Sequence, residues 1–230
     1  MSKFFEASVF FGVFLSLISY GIGTALKRKF KLAMFNPLLI AVIIIMLFLT
    51  VMHIDNNVYQ EGAKYISFLL TPATVCLAVP LYEQMELLKK NYKAVLAGIF
   101  SGVFTSLVSV LLLAVLFRLD HTSYVTLLPK SITTAIGMGV SEELGGYVSI
   151  TVAVIVVTGV IGNMLAETVC RIFRINHPIA KGIAIGASSH AIGTAKAMEL
   201  GAVEGAMSSL SIVVSGILTV MGASFFACLM

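Results

Sequence analysis

The chain of 230 residues has no tryptophan, only three cysteines and five prolines, and little charge, with Asp, Glu, Lys and Arg together making up 11% of it. Soluble domains carry about 25% charged residues. So little charge beside a hydrophobic content of 59% excludes an ordinary soluble globule, because one core of this size could not hide that much apolar surface; the excess must face lipid. Aromatic girdles and alternation over about ten residues are also lacking, which excludes a membrane β-barrel. Cys76, Cys170 and Cys228 are odd in number, far apart and set in apolar sequence. They signal neither a disulfide framework nor a metal site, and read as packing residues. His53, His121 and His177 fall in connections without metal-ligand spacing, so no cofactor is implied. The net charge of +4 does not mark a nucleic-acid binder either, since the basic residues sit in short clusters at the ends of apolar runs, as topology determinants do.

What is present is a series of apolar runs, most about 20 residues long, the length of a bilayer-crossing helix. They cover 7–26, 32–52, 65–82, 94–117, 125–140, 148–170, 182–198 and 205–229, and predict an all-α polytopic membrane protein with a single transmembrane domain over 1–230. The first run is not a signal peptide: it lacks a small-x-small cleavage site, Glu6 stands where a basic region belongs, and Lys27-Arg28-Lys29 and Lys31 follow it. It reads as a retained span that ends in the cytoplasm, which puts the N-terminus outside.

The connections sort by charge. Segments 27–31, 83–93 (Lys89, Lys90, Lys93) and 171–181 (Arg171, Arg174, Lys181) are basic and mark the cytoplasmic side, whereas 53–64 and 118–124 carry only Lys64 and Arg118 as Lys or Arg. Two full crossings between 118–124 and 171–181 would put those connections on the same side, so one of the two runs between them does not cross. The interrupted one is 125–146, with Pro129-Lys130, the polar Ser131, Thr133 and Thr134, and Gly137, Gly139, Gly145 and Gly146. The same character returns at 182–202, where Ser188, Ser189, His190, Thr194 and Lys196 interrupt an apolar stretch. A shift of 56 positions lays Ala135-Ile136-Gly137 on Ala191-Ile192-Gly193 and Glu143-Leu144-Gly145 on Glu199-Leu200-Gly201, six identities in eleven. Each unit, 125–180 and 181–230, would hold one broken segment and one span, and the pair would be an inverted repeat of the kind secondary transporters use. The expected architecture is about six full spans plus two broken or re-entrant segments. Pro72 and Pro80 in 65–82, and Asn36-Pro37, are further places where a helix is interrupted or merely kinked.

Ionisable groups at membrane depth point to function. Lys130, Glu142, Glu143, His190, Lys196 and Glu199 are the candidates, and Glu142 and Glu143 sit where water reaches them. Lys130, His190 and Lys196 share the two interrupted segments with Ser131, Thr133, Thr134, Ser188, Ser189 and Thr194. A hydroxyl-rich turn that opens a half-helix presents free N–H groups and the positive end of the helix dipole, and a lysine adds a full charge; the set suits a small carboxylate. Any single hydroxyl is better explained by helix packing in lipid, and it is the combined cluster that favours a site. No nucleophile elbow exists, and Ser189 and His190, as neighbours in one helix, would not face each other, which argues against an enzyme. Gly98-x-x-x-Gly102 and Gly182-x-x-x-Gly186 allow close helix approach, within the chain or in a homo-oligomer.

Several strings carry a resemblance. Thr71–Tyr82 (TPATVCLAVPLY), Leu127–Gly137 (LLPKSITTAIG), Ala187–Ala195 (ASSHAIGTA), Asn36-Pro37-Leu38 and Glu204–Leu210 (EGAMSSL) resemble the LrgB/CidB family of bacterial inner-membrane proteins over essentially the whole chain, with Pro129–Gly146 nearer the CidB branch. The resemblance implies either of two functions. Family proteins are described as holin-like or antiholin-like components that govern murein hydrolase export and lysis, working with a small LrgA/CidA-like membrane partner. Relatives are described as carriers of small monocarboxylates such as pyruvate, glycolate and glycerate. The residues favour the second: a carrier or facilitator in which Ser131, Thr133, Ser189 and Thr194 bind the substrate, Lys130 or Lys196 neutralises it, and His190 binds it or takes a coupling proton.

Overall fold

The structure, a computed structural model, describes residues 10–30 and 36–230, Thr74 by its backbone alone. Glu6, Lys31 and the first residues of the expected segments 7–26 and 32–52 lie outside these. Every regular element among the described residues is an α-helix, as continuous apolar runs require. The chain divides into two compact units, Met1–Cys76 and Leu77–Met230.

The first unit contains α1 (Phe11–Phe30), α2 (Pro37–Val51), α3 (Asn56–Phe68) and α4 (Leu70–Cys76). Asn36-Pro37 starts a helix: Asn36 Oδ1 accepts from the N–H groups of Leu38 (2.9 Å) and Leu39 (3.4 Å), and Pro37 occupies the first helical turn, where its missing N–H costs nothing. Small residues on α1 bring the helices together. Gly12 lies against the backbone of Tyr59 and Ala63, Gly23 against that of Pro37, and Ser16 Oγ bonds Tyr59 OH at 2.9 Å. Phe11, Leu15 and Ile54 form the buried cluster between them.

Beyond α4 the second unit opens with α5 (Ala78–Glu83). The run from Asn56 to Glu83 is interrupted at Leu69 and Leu77, in each case three residues before a proline, Pro72 and Pro80. A proline has no N–H for the carbonyl four residues back, so the turn ahead of it loosens. Then come α6 (Met85–Phe117), α7 (His121–Leu127), α8 (Thr134–Glu143), α9 (Val148–Ile172), α10 (Pro178–Leu200) and α11 (Ala202–Ala227). Asp120 starts α7, accepting from the Ser123 hydroxyl at 2.6 Å and its N–H at 3.2 Å, and those bonds hold its carboxyl below the usual range. Among the described residues, four stretches are long and apolar enough to cross a bilayer, Asn56–Glu83, Met85–Phe117, Val148–Ile172 and Ala202–Ala227. The apolar α2 has 15 residues, short of the roughly 20 that a full crossing takes.

The core follows helical periodicity. Val95, Ile99, Val103, Leu107, Val110 and Ala114 recur every three or four residues along α6 and are all buried, whereas Leu112, Leu113, Leu116 and Phe117 on the other face are more than half exposed and form a lipid-facing surface. The closest helix pair is α10 with α11: Gly182 and Gly186 lie against the backbone of Glu204 and Ser208, so both small-x-x-x-small motifs serve packing inside the chain, Gly98 and Gly102 contacting Ile183 and Ala187. Tyr124, fully buried, donates its hydroxyl to the Phe226 carbonyl at 3.0 Å and ties α7 to the end of α11.

Both interrupted segments are broken, at adjacent positions of the 56-residue shift. The helix stops at Leu127 and resumes at Thr134, while in α10 a non-helical His190 (φ 42°, ψ −140°) divides the helix. The 56-position shift carries Thr134 onto His190 and the turn glycine Gly145 onto Gly201. The first break is wider because Pro129 stands in it.

The α10–α11 contact yields a direct test. Gly186→Ala is expected to destabilise the protein by about 1–3 kcal/mol, the usual cost of overpacking, because its Cβ would meet the Ser208 backbone. Gly139→Ala, whose Cβ meets nothing within 4 Å, leaves stability unchanged or slightly higher. Reversible SDS unfolding in mixed micelles measures both.

Candidate functional site

Three helical features meet around Lys130. Between α7 and α8 the chain runs non-helically from Leu128 to Thr133, with Leu128, Pro129 and Ile132 packed into the core and Lys130 lining a cavity of about 780 Å³. That volume lies within the range of about 300–1,000 Å³ usual for ligand sites. One wall is a stripe on α6 that includes Asn91, Gly98, Ser101, Thr105, Ser106 and Ser109; the other is the first half of α10, with Ala180, Ala184, Ala187 and Ser188. Both stripes repeat every three or four residues, the spacing that keeps side chains on one helix face.

The Lys130 ammonium donates to Ser131 Oγ at 2.9 Å and Ser106 Oγ at 3.1 Å, and the two hydroxyls lie 3.2 Å apart. No carboxylate is within ion-pair distance of it among the described residues. A cation fixed by neutral donors and left without a counter-charge is costly at membrane depth and attracts an anion.

The remaining expected residues are placed differently. Ser188 lines the cavity and bonds Ser189 Oγ at 3.0 Å, and also donates to the Ala184 carbonyl at 2.7 Å. Ser189 is buried and pressed onto Gly162 of α9. The His190 ring is buried in a notch at Gly159, with Nε2 3.0 Å from the Ile155 carbonyl. Thr194, fully buried, donates to the His190 carbonyl at 2.9 Å and pairs with Ser208 Oγ at 2.7 Å. Together with Asn163 of α9, which donates to the Ile192 carbonyl at 2.7 Å, these groups hold the break in α10 rather than face the cavity. Thr133 and Thr134 open α8, partly exposed and outside the cavity lining, and the Thr133 hydroxyl makes no cap bond. Lys196 is paired with Glu167 of α9 at 2.6 Å and Glu199 at 3.1 Å, so its charge is already neutralised. The structure therefore brings Lys130, Ser131 and Ser188 together and sets the others apart. Among the described residues, no group of three His, Cys, Asp or Glu could hold a metal ion.

Ser106 and the hydroxyl stripe on α6 were absent from the sequence-derived site. The available signal was their helical spacing from Asn91 to Ser109, which in an apolar run looks like ordinary helix packing.

Comparison with known proteins matches residues 16–229 to the model of the LrgB-like family. The antiholin-like protein LrgB of Bacillus mycoides (strain KBAB4) is 41% identical over 212 residues, 92% of each chain. Those of Bacillus cereus (strain B4264) and Bacillus anthracis (strain CDC 684 / NRRL 3495) are 40% identical over the same shares. These matches do not separate the LrgB branch from the CidB branch expected from Pro129–Gly146. No solved structure matches the chain.

His190 has a backbone conformation that favours glycine, with a strain of about 1–3 kcal/mol. His190→Ala removes the bond to Ile155 and keeps the strain, whereas His190→Gly removes both. The glycine variant is expected to be the more stable of the two by about 1 kcal/mol, read from their unfolding midpoints in mixed micelles; an alanine variant as stable as the glycine variant would contradict the strained break.

Proposed function

Because the chain belongs to the LrgB-like family, we propose that it is an antiholin-like protein of the bacterial inner membrane, which restrains a lytic pore instead of forming one and works with a small LrgA/CidA-like membrane subunit. The observation that carries this reading is the identity of 40–41% over 92% of the chain to proteins named antiholin-like. The distribution of polar groups fits it: a wide aqueous lumen needs polar faces all round it, whereas here the hydroxyls form one stripe on α6 that faces the alanines of α10. An outward-facing N-terminus is part of this reading, supported by the distribution of basic connections.

A second reading, a carrier of small monocarboxylates, is favoured by Lys130 itself. An ammonium held by two serine hydroxyls and facing a cavity, with no carboxylate beside it among the described residues, has the chemistry of a site for a single negative charge. The substrate carboxylate would take the place of the missing counter-ion.

Two measurements decide. Expressed with its small partner in a bacterium undergoing holin-driven lysis, the chain should delay lysis; unchanged or earlier lysis would refute the antiholin-like reading. In proteoliposomes, uptake of labelled pyruvate, lactate or glycolate should be saturable, and Lys130→Gln should reduce it at least about tenfold, the loss of one charge-assisted contact worth about 1.4 kcal/mol or more. Absence of uptake with and without the partner would refute the carrier reading.

A further inference from the structure

The cavity beside Lys130 is long as well as roomy. Its wall on α6 extends from Asn91 to Ser109, about 27 Å of helix at a rise of about 1.5 Å per residue. That is close to the roughly 30 Å thickness of the bilayer hydrocarbon. The facing wall begins at His177, immediately ahead of α10, and continues to Ser188.

The two ends differ. Lys130 and its serine partners lie at one, and the chain between there and the 118–120 connection buries Tyr124, Val125 and Leu128, each no more than 1% exposed, in the core. At the other end Asn91 and His177 belong to the basic connections, near Lys89, Lys90 and Lys93 (with Glu83 and Glu86) and Arg174 and Lys181 in the chain, none of which lines the cavity itself. Basic connections mark the cytoplasmic side. Between the ends the α6 wall presents Ser101, Thr105 and Ser109; Ser101 and Ser109 donate to the Gly98 and Thr105 carbonyls of their own helix at 2.8 and 2.6 Å, which leaves their lone pairs to accept from water.

We propose that this cavity is a blind aqueous vestibule for small anions, open to the cytoplasm between Asn91 and His177 and ending at the Lys130 ammonium. The proposal deepens the reading of Lys130 as an anion site and rests on the topology given by the basic connections. The ammonium at the floor is the one lysine or arginine side chain among the described residues that lines the cleft, and low-dielectric walls focus its field on an entering anion.

The test is thiol labelling of the full chain in membrane vesicles. Cys76, Cys170 and Cys228 are replaced by Ala, and single cysteines are placed at Ser101, Thr105 and Ser188. Membrane-impermeant methanethiosulfonates, one bearing a sulfonate and one a trimethylammonium group, are added from either face. All three positions should react from the cytoplasmic face and not from the opposite one. Lys130→Gln should lower the ratio of anionic to cationic labelling rates by about tenfold, the scale of local ion enrichment in a charged cleft. A furrow filled by lipid chains would leave the three cysteines unreactive to both impermeant reagents from the cytoplasmic face while membrane-permeant maleimides modify them. That outcome, reaction from the opposite face, or an unchanged ratio in Lys130→Gln would overturn the proposal. Labelling needs neither transport nor lysis, so it fails independently of both functional readings.

Discussion

Backbone N–H and C=O groups inside a bilayer have no water to bond, so a helix interrupted there has to be completed by side chains of its neighbours. Much of the second unit follows from that constraint. The first break is secured by hydroxyls: Thr151 of α9 donates to the Thr126 carbonyl at 2.9 Å, and Thr126 Oγ1 accepts from the Tyr147 N–H at 2.8 Å. The second is secured by Asn163 on the Ile192 carbonyl and by Thr194 on that of His190. In both, α9 supplies a polar side chain to a carbonyl at the break or within two residues of it. This explains why a helix as apolar as Val148–Ile172 carries Thr151 and Asn163, and why Gly159 and Gly162 leave space for His190 and Ser189.

The cavity is a consequence of the same breaks. With α7 and α8 offset by the stretch Leu128–Thr133, Lys130 is brought to the side of α6, where Ser106 meets it. Small side chains on the facing stripes, Gly98 and Gly102 on α6 and Ala180, Ala184 and Ala187 on α10, hold space open on either side of it. A protein that needed only stability would fill such a space, since every missing methylene forfeits packing contacts. It would also pair or remove the lysine, as it has paired Lys196 with Glu167 and Glu199. The contrast between the two lysines, one neutralised and one left facing a cavity, is the ground on which Lys130 is proposed as the functional charge.

Local chemistry made much of this legible in the sequence. Prolines 72 and 80 locate the weak turns at Leu69 and Leu77, Pro129 and the glycines locate the first break, and the 56-position shift pairs it with the second. What stayed hidden depends on contacts between helices. Lys196 looks like a free cation until α9 brings Glu167 to it. His190 looks like a ligand until its ring is seen in the notch at Gly159, where it stabilises a backbone turn. The serines of α6 look like packing residues, because the spacing that lines a cavity is the same spacing that packs a helix. Asn36-Pro37, a candidate break, proves to be a helix start, a distinction set by which partners the Asn36 side chain finds.

The central claim is that α10 consists of two half-helices meeting at His190 within the bundle, at the position the 56-residue shift pairs with Thr134, where the gap at Leu128–Thr133 ends. Solid-state NMR of the uniformly labelled protein in lipid bilayers tests it most directly through the Cα and Cβ chemical shifts of residues 125–146 and 182–202. The account predicts helical shifts on both sides of each break, with non-helical values at His190 and from Pro129 to Thr133. Unbroken helical shifts from Pro178 to Leu200 would contradict it.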